Sequence, residues 1–87
     1  MSTKPAAAVQ SFSPESIEAK AYASVSAIPT VEPNDRNRLG FHVYRWLTEK
    51  QGTLEQAIAS SGSRLEISQQ QAATMIKDAL KKAGVDV

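Results

Sequence analysis

The residues best suited to chemistry lie late in the chain, in "TLEQAIASSGSRLEISQQQAATMIKDALKKAG", Thr53 to Gly84. Gln69, Gln70 and Gln71 follow Ser68 there. A glutamine amide can pair bidentately with adenine in the major groove. At 100° per residue, Gln70, Thr74, Lys77 and Lys81 fall on one stripe about 60° wide. Amide and hydroxyl groups come first along it, and ammonium groups later. A recognition helix entering the groove by its N-terminal end meets base edges and phosphates in that order. Arg64 stands just before this helix, and Arg36, Arg38 and Arg45 precede it. The set expected to touch DNA is Gln69, Gln70, Thr74 and Lys77 at bases, with Lys81, Arg64 and Arg38 at phosphates. A polar, lysine-bearing stripe is also what any solvated surface helix carries, and Asp78 beside it dilutes its field.

A second constellation is "GFHVYRW", Gly40 to Trp46. Phe41, Tyr44 and Trp46 crowd into seven residues with Arg45 among them. A small domain cannot fully bury all of Phe12, Tyr22, Phe41, Tyr44 and Trp46. Tyrosine, tryptophan and arginine are favoured where proteins bind one another. Tyr22, Phe41, Tyr44, Arg45 and Trp46 are therefore the expected surface for a protein partner. Their plainer role is core, because aromatics at helical spacing usually pack inward.

Catalytic patterns are missing. His42 is the only histidine, and cysteine is absent. A nucleophilic triad needs a base beside a serine and an acid to orient it, and no serine is marked that way. The carboxylates are scattered without metal-ligand spacing, and the four glycines are isolated rather than grouped in a phosphate loop. The expectation is no catalytic residue, no metal and no cofactor.

Four helices must position these groups. Residues 1–12 are small and polar, too poor in apolar surface to offset ordering entropy, and are expected to be a disordered tail. Ser13-Pro14-Glu15 reads as a helix start, with a capping serine, a proline in the first turn and an acid at the positive end. Ile17, Ala21, Val25 and Ile28 follow as one stripe, and Pro29 closes the helix near Ala27. This first helix, 13–28, is rich in serine and alanine and is expected to be the weakest. After a linker at 29–33, Asn34 or Asp35 is expected to cap a helix to about Lys50, with Leu39, Val43, Trp46 and Leu47 inward and Phe41 and Tyr44 flanking. Thr53 caps a short helix with Leu54, Ala57 and Ile58 inward. Ser68 caps the last, from Gln69 to Ala83, whose buried side is Ala72, Met75, Ile76, Ala79, Leu80 and Ala83. Gly84 ends it. The closing "VDV" either crosses the bundle or pairs as a strand. The expected fold is all-α: a three-helix bundle at 34–87 with an extra N-terminal helix.

From about Arg38 onward the chain resembles the three-helix portion of winged helix-turn-helix regulators. "YRWLTEKQGTLEQAIASSG" is similar to their first two helices, and "ISQQQAATMIKDALKKAGV" to their recognition helix with its closing glycine. The resemblance covers about half the chain and implies a DNA-reading last helix. It departs in two places. The break from Gly62 to Ile67 is longer than the 3–4 residues of the tight motif. Only Val85, Asp86 and Val87 follow the last helix, too few for a β-wing.

The totals fit a single domain of 87 residues. With a tail set aside, the folded part is expected to be about 55 to 70 residues, and a core that small stabilises by roughly 3–5 kcal/mol unless it is stapled or oligomerises. No disulfide can form. The start lacks the apolar core of a secretory signal, and no apolar run is long enough to span a bilayer, so a cytoplasmic protein is expected. Net charge is +1, whereas dedicated DNA-binding domains are usually far more basic. These readings converge on a small non-enzymatic regulator, helix-turn-helix-like, dimeric and binding double-stranded DNA. The alternative is an inhibitor or adaptor that docks on a larger protein.

Overall fold

The computed structural model describes residues 16–29 and 31–87. It is all-α. Helix α1 spans Ile17–Ser24 and runs into a 3-10 turn at Val25–Ala27. Helix α2 spans Pro33–Glu49, α3 Leu54–Ser61 and α4 Gln69–Lys82. Among the described residues there is no strand, so "VDV" pairs with nothing. No described helix is long and apolar enough to cross a membrane.

The start of α1 follows from Ser16, whose hydroxyl accepts the Ala19 N–H at 3.1 Å. The expected start at Ser13-Pro14-Glu15, like the expected tail at 1–12, lies outside the described residues. Ser24 satisfies its buried hydroxyl by donating to the Ala21 carbonyl at 2.7 Å. At the other end, the Ile28 N–H reaches back to the Val25 carbonyl, and Pro29 follows in a turn.

Helix α2 begins two or three residues earlier than expected. Pro33 occupies its first turn, where a missing N–H costs nothing. Neither Asn34 nor Asp35 caps it. The residue before it, Glu32, makes no side-chain cap bond either. Asp35 instead turns inward and is buried. Helix α2 ends at Lys50, whose backbone is left-handed at φ 56°.

Helix α3 opens on a reciprocal cap. Thr53 Oγ1 accepts the Gln56 N–H at 3.1 Å, and Gln56 Oε1 accepts the Thr53 N–H at 2.9 Å. Helix α4 opens on Ser68, which accepts the Gln71 N–H at 3.0 Å. It closes with Gly84 at φ 90° and the Val85 N–H bonded to the Leu80 carbonyl at 2.9 Å. That closure turns Val85 back onto the core.

The core joins all four helices. Ala21 and Val25, Leu39 and Val43, Leu54 and Ile58, and Ala72, Ala73, Ile76 and Leu80 are buried together. Ile28 and Val31 complete it. The 29–33 stretch is thus more than a linker: Val31 packs inward, and Arg36 Nη2 donates to its carbonyl at 2.9 Å. Helix α1 is likewise no appendage to a three-helix domain. It lies along α2, where Tyr22 crosses Gly40. A Cβ on Gly40 would stand 2.8 Å from Tyr22 Cε1 and closer still to Cδ1, so only glycine permits this approach.

Two inward assignments from spacing, Ile17 and Ala83, differ in the structure, and one residue outside the expected stripes, Ala73, is buried. Ile17 begins the α1 stripe but remains 42% exposed, because it lies at the helix end beyond the packed turns. Ala83 is exposed past the last turn of α4. Ala73, outside the expected stripe, is buried. Its burial moves the inward line of α4 toward Lys77, four residues on.

Candidate docking groove and the polar faces around it

The expected DNA-contacting residues divide into two groups. Gln69, Gln70, Thr74 and Lys81 lie exposed along α4, as their spacing predicted. The Thr74 hydroxyl donates back to the Gln70 carbonyl at 3.1 Å. Lys77 is half-buried, since the shifted core line brings it beside the C-terminal end of α2.

Arg38 and Arg64 serve a different centre. Asp35 has a side chain only 2% exposed. One of its carboxylate oxygens pairs with Arg38 Nη2. The other accepts the Arg64 N–H at 3.4 Å and lies 3.7 Å from Arg64 Nε. Arg38 Nε also donates to the Ser61 carbonyl at 3.1 Å. Ser63 Oγ donates to the Asp35 carbonyl at 3.2 Å. A buried carboxylate needs such partners, because desolvating an unpaired charge is expensive. This cluster ties the start of α2 to the α3–α4 connection. It holds Arg38 by two bonds and gives Arg64, still 87% exposed, a looser tie.

The five residues expected to meet a protein partner do not form one patch. Tyr22 is packed on Gly40. Burial, then the charge of Glu18, then Tyr44, hold its phenol above the ordinary tyrosine value. Tyr44 is half-buried. Phe41 and Arg45 project from the outer side of α2: Phe41 is 47% exposed, and the Arg45 guanidinium carbon lies 5.9 Å from its ring centre. Arg45 also pairs with Glu49 at 3.2 Å. Beside them, His42 meets the Phe41 ring edge-on at 5.7 Å. Partial burial, then Arg45 and Arg38, disfavour its charged form and lower its pKa.

Trp46 is the fifth, and it separates two hollows. Its indole N–H donates to the Gly52 carbonyl at 3.3 Å. On the α3 side lies a polar hollow of about 380 Å³ bordered by His42, Arg45, Glu49 and Gln56. On the α4 side opens a larger groove of about 640 Å³. Its floor and walls are apolar: Ile17 from α1, Trp46 and Leu47 from α2, and Val85 and Val87 after α4. Lys50, Lys77 and Asp86 stand around it. The volume falls within the roughly 300–1,000 Å³ of ligand-binding clefts.

Sequence reasoning named Trp46 and Lys77 but assigned them to different surfaces. It missed Ile17, Leu47 and the closing valines as groove residues, because each was placed in the core or left undecided. The available signal was an excess of apolar residues at helix ends, beyond the packed turns of the described helices. Among the described residues, no three acidic or histidine side chains gather as a metal site. Comparison of the chain with protein-family models, with curated proteins and with solved structures found no match.

Proposed function

We propose that this chain is a small non-enzymatic interaction module that seats a segment of a partner protein in the groove between the C-terminal end of α2 and the end of α4. The carrying observation is the groove itself: an open apolar hollow of about 640 Å³ on a chain of 87 residues. Apolar surface gathered in a concave site favours association when it is removed from water, and the gain must exceed the freedom lost on binding. Ile17 supports the reading, since a large aliphatic side chain left 42% exposed gains by being covered.

The test uses the full chain as bait for a displayed library of random helical peptides, with Trp46 fluorescence as the solution readout. Trp46 is the only tryptophan, so tryptophan-free peptides report on the groove directly. Binders that shift Trp46 emission and lose at least tenfold in affinity with Ile17→Glu support the proposal. Enriched peptides indifferent to Ile17→Glu refute it. A second copy of this chain is the competing occupant, and concentration-dependent sedimentation abolished by Ile17→Glu would identify it.

A second reading, DNA binding by α4, keeps support from the shared exposure of Gln69, Gln70, Thr74 and Lys81. The Asp35 cluster weakens it by engaging Arg38 and drawing on Arg64. Fluorescence anisotropy with random duplex DNA at about 50 and 200 mM salt decides it. Binding that falls steeply with salt and vanishes in Lys77→Glu/Lys81→Glu would favour DNA. Absence of binding at either salt would remove it.

A further inference from the structure

Ile17 is both the first residue of α1 and a wall of the groove. Ser16 before it is the helix cap, with an extended backbone at φ −72° and ψ 153°. The helix therefore does not continue backward through Ser16. Residues 1–15 lead directly into this point, so they join the described residues beside the apolar hollow.

Their composition and reach suit that hollow. Val9 and Phe12 are the large apolar side chains nearest to Ile17 in that stretch. A phenylalanine ring has much apolar surface to remove from water. Phe12 precedes Ile17 by five residues, which limits their separation to roughly 17 Å. The hollow of about 640 Å³ has a mean width, the cube root of its volume, of roughly 9 Å, well inside that reach. Charge does not oppose the contact. Residues 1–15 carry one lysine and one glutamate, and the groove presents both signs, Lys50 and Lys77 with Asp86. Apolar contact then decides. A short connection holds its ends at an effective concentration on the order of millimolar. A contact too weak to form between separate molecules therefore suffices within one.

Resting on the docking role proposed above, we infer that residues 9–13 cover the groove of their own chain, with Phe12 seated over Trp46, Leu47 and Val87. A partner segment binds by displacing them. The chain thus holds its docking site closed, and the apparent affinity for a partner falls with the fraction of molecules that are open. The same residues, once displaced, lie beside the bound partner at the start of α1.

The experiment quenches Trp46 fluorescence with acrylamide in the full chain, where Trp46 is the only tryptophan. Phe12→Ser should raise the quenching constant at least twofold, and Phe12→Leu should leave it near the parent value. Helical circular dichroism should be the same in all three, because position 12 precedes the first described helix. A synthetic peptide of residues 1–15 should restore protection when added to the Phe12→Ser chain, and the same peptide carrying Phe12→Ser should not. The helical peptides selected in the docking test should bind the Phe12→Ser chain at least threefold tighter than the parent. Equal quenching in parent and Phe12→Ser, with peptides still lost in Ile17→Glu, would overturn this inference and leave an open docking groove. Protection that disappears on dilution would give the groove to Phe12 of a second copy and also overturn it. Protection by Phe12 with no Ile17-dependent binder would refute the docking role instead and, with it, the regulation inferred from it.

Discussion

Gly40 is the residue on which the packing of α1 most directly depends. Tyr22 lies so close that a methyl group cannot be added at 40 without moving the ring. Gly40→Ala improves intrinsic helix propensity, yet overpacking typically costs about 1–3 kcal/mol and should win. Urea unfolding should show the loss, and Tyr22→Ala should relieve most of it in the double variant, because touching residues are not additive. His42 supplies a prediction in pH. Burial and its two arginine neighbours lower its pKa, so the folded chain binds fewer protons at this site than the unfolded chain. Its contribution is intact above the unfolded value of about 6.5 and is lost as pH falls from there through the lowered folded value. Thermal unfolding between pH 7 and 5 should show this decline, and His42→Gln should flatten it. A decline unchanged in that variant would assign it to other groups.

Between elements, Asp35 replaces the cap that its position suggested. It joins α2 to the α3–α4 connection through Arg38, Arg64 and Ser63. Hydrogen bonds to charged groups contribute about 1.5–3 kcal/mol. Both arginines are well exposed, so they rehydrate when the carboxylate is removed, and the loss stays below that of a wholly buried pair. Asp35→Ala should therefore destabilise by about 1.5–3 kcal/mol in chemical denaturation. Faster amide exchange should concentrate at 61–65, where the connection loses its anchor. If Arg38 and Arg64 are thereby released toward a phosphate backbone, the same variant should bind duplex DNA more tightly. A variant that stays as stable as the parent would reduce the cluster to a surface ion pair.

At the level of the whole molecule, the four helices share one buried core. Val25, Ile28 and Val31 are buried with the α2–α4 core. Each contributes about 1.5–3 kcal/mol of apolar burial. A chain this small has only roughly 3–5 kcal/mol of net stability to lose. A fragment covering 31–87 should therefore fail to show a cooperative thermal transition by circular dichroism at 222 nm. A sharp transition in that fragment would restore the three-helix domain expected from sequence. The same scale accounts for the groove. Among the described residues, helices of eight to seventeen residues leave Ile17, Trp46 and Leu47 lining the groove at one end of the bundle.

The sequence by itself determined the all-α class, the starts of α3 and α4 and most of the buried stripe. Those depend on local rules: Thr53 and Ser68 satisfy the first N–H groups of their own helices, and apolar spacing at 3–4 residues points one side inward. The Ser61–Gln69 break was legible for the same reason. Only the tertiary structure decided the rest. Asp35 reads as a cap in sequence, and its burial depends on arginines 3 and 29 residues away meeting it. Gly40 reads as a weak point in a helix until Tyr22 is seen lying on it. Phe41 and Trp46 have similar patterns locally, yet one ends exposed and the other between two hollows. The groove is assembled from α1, α2 and the residues after α4, and no local pattern can report a surface whose parts meet only when the chain has folded.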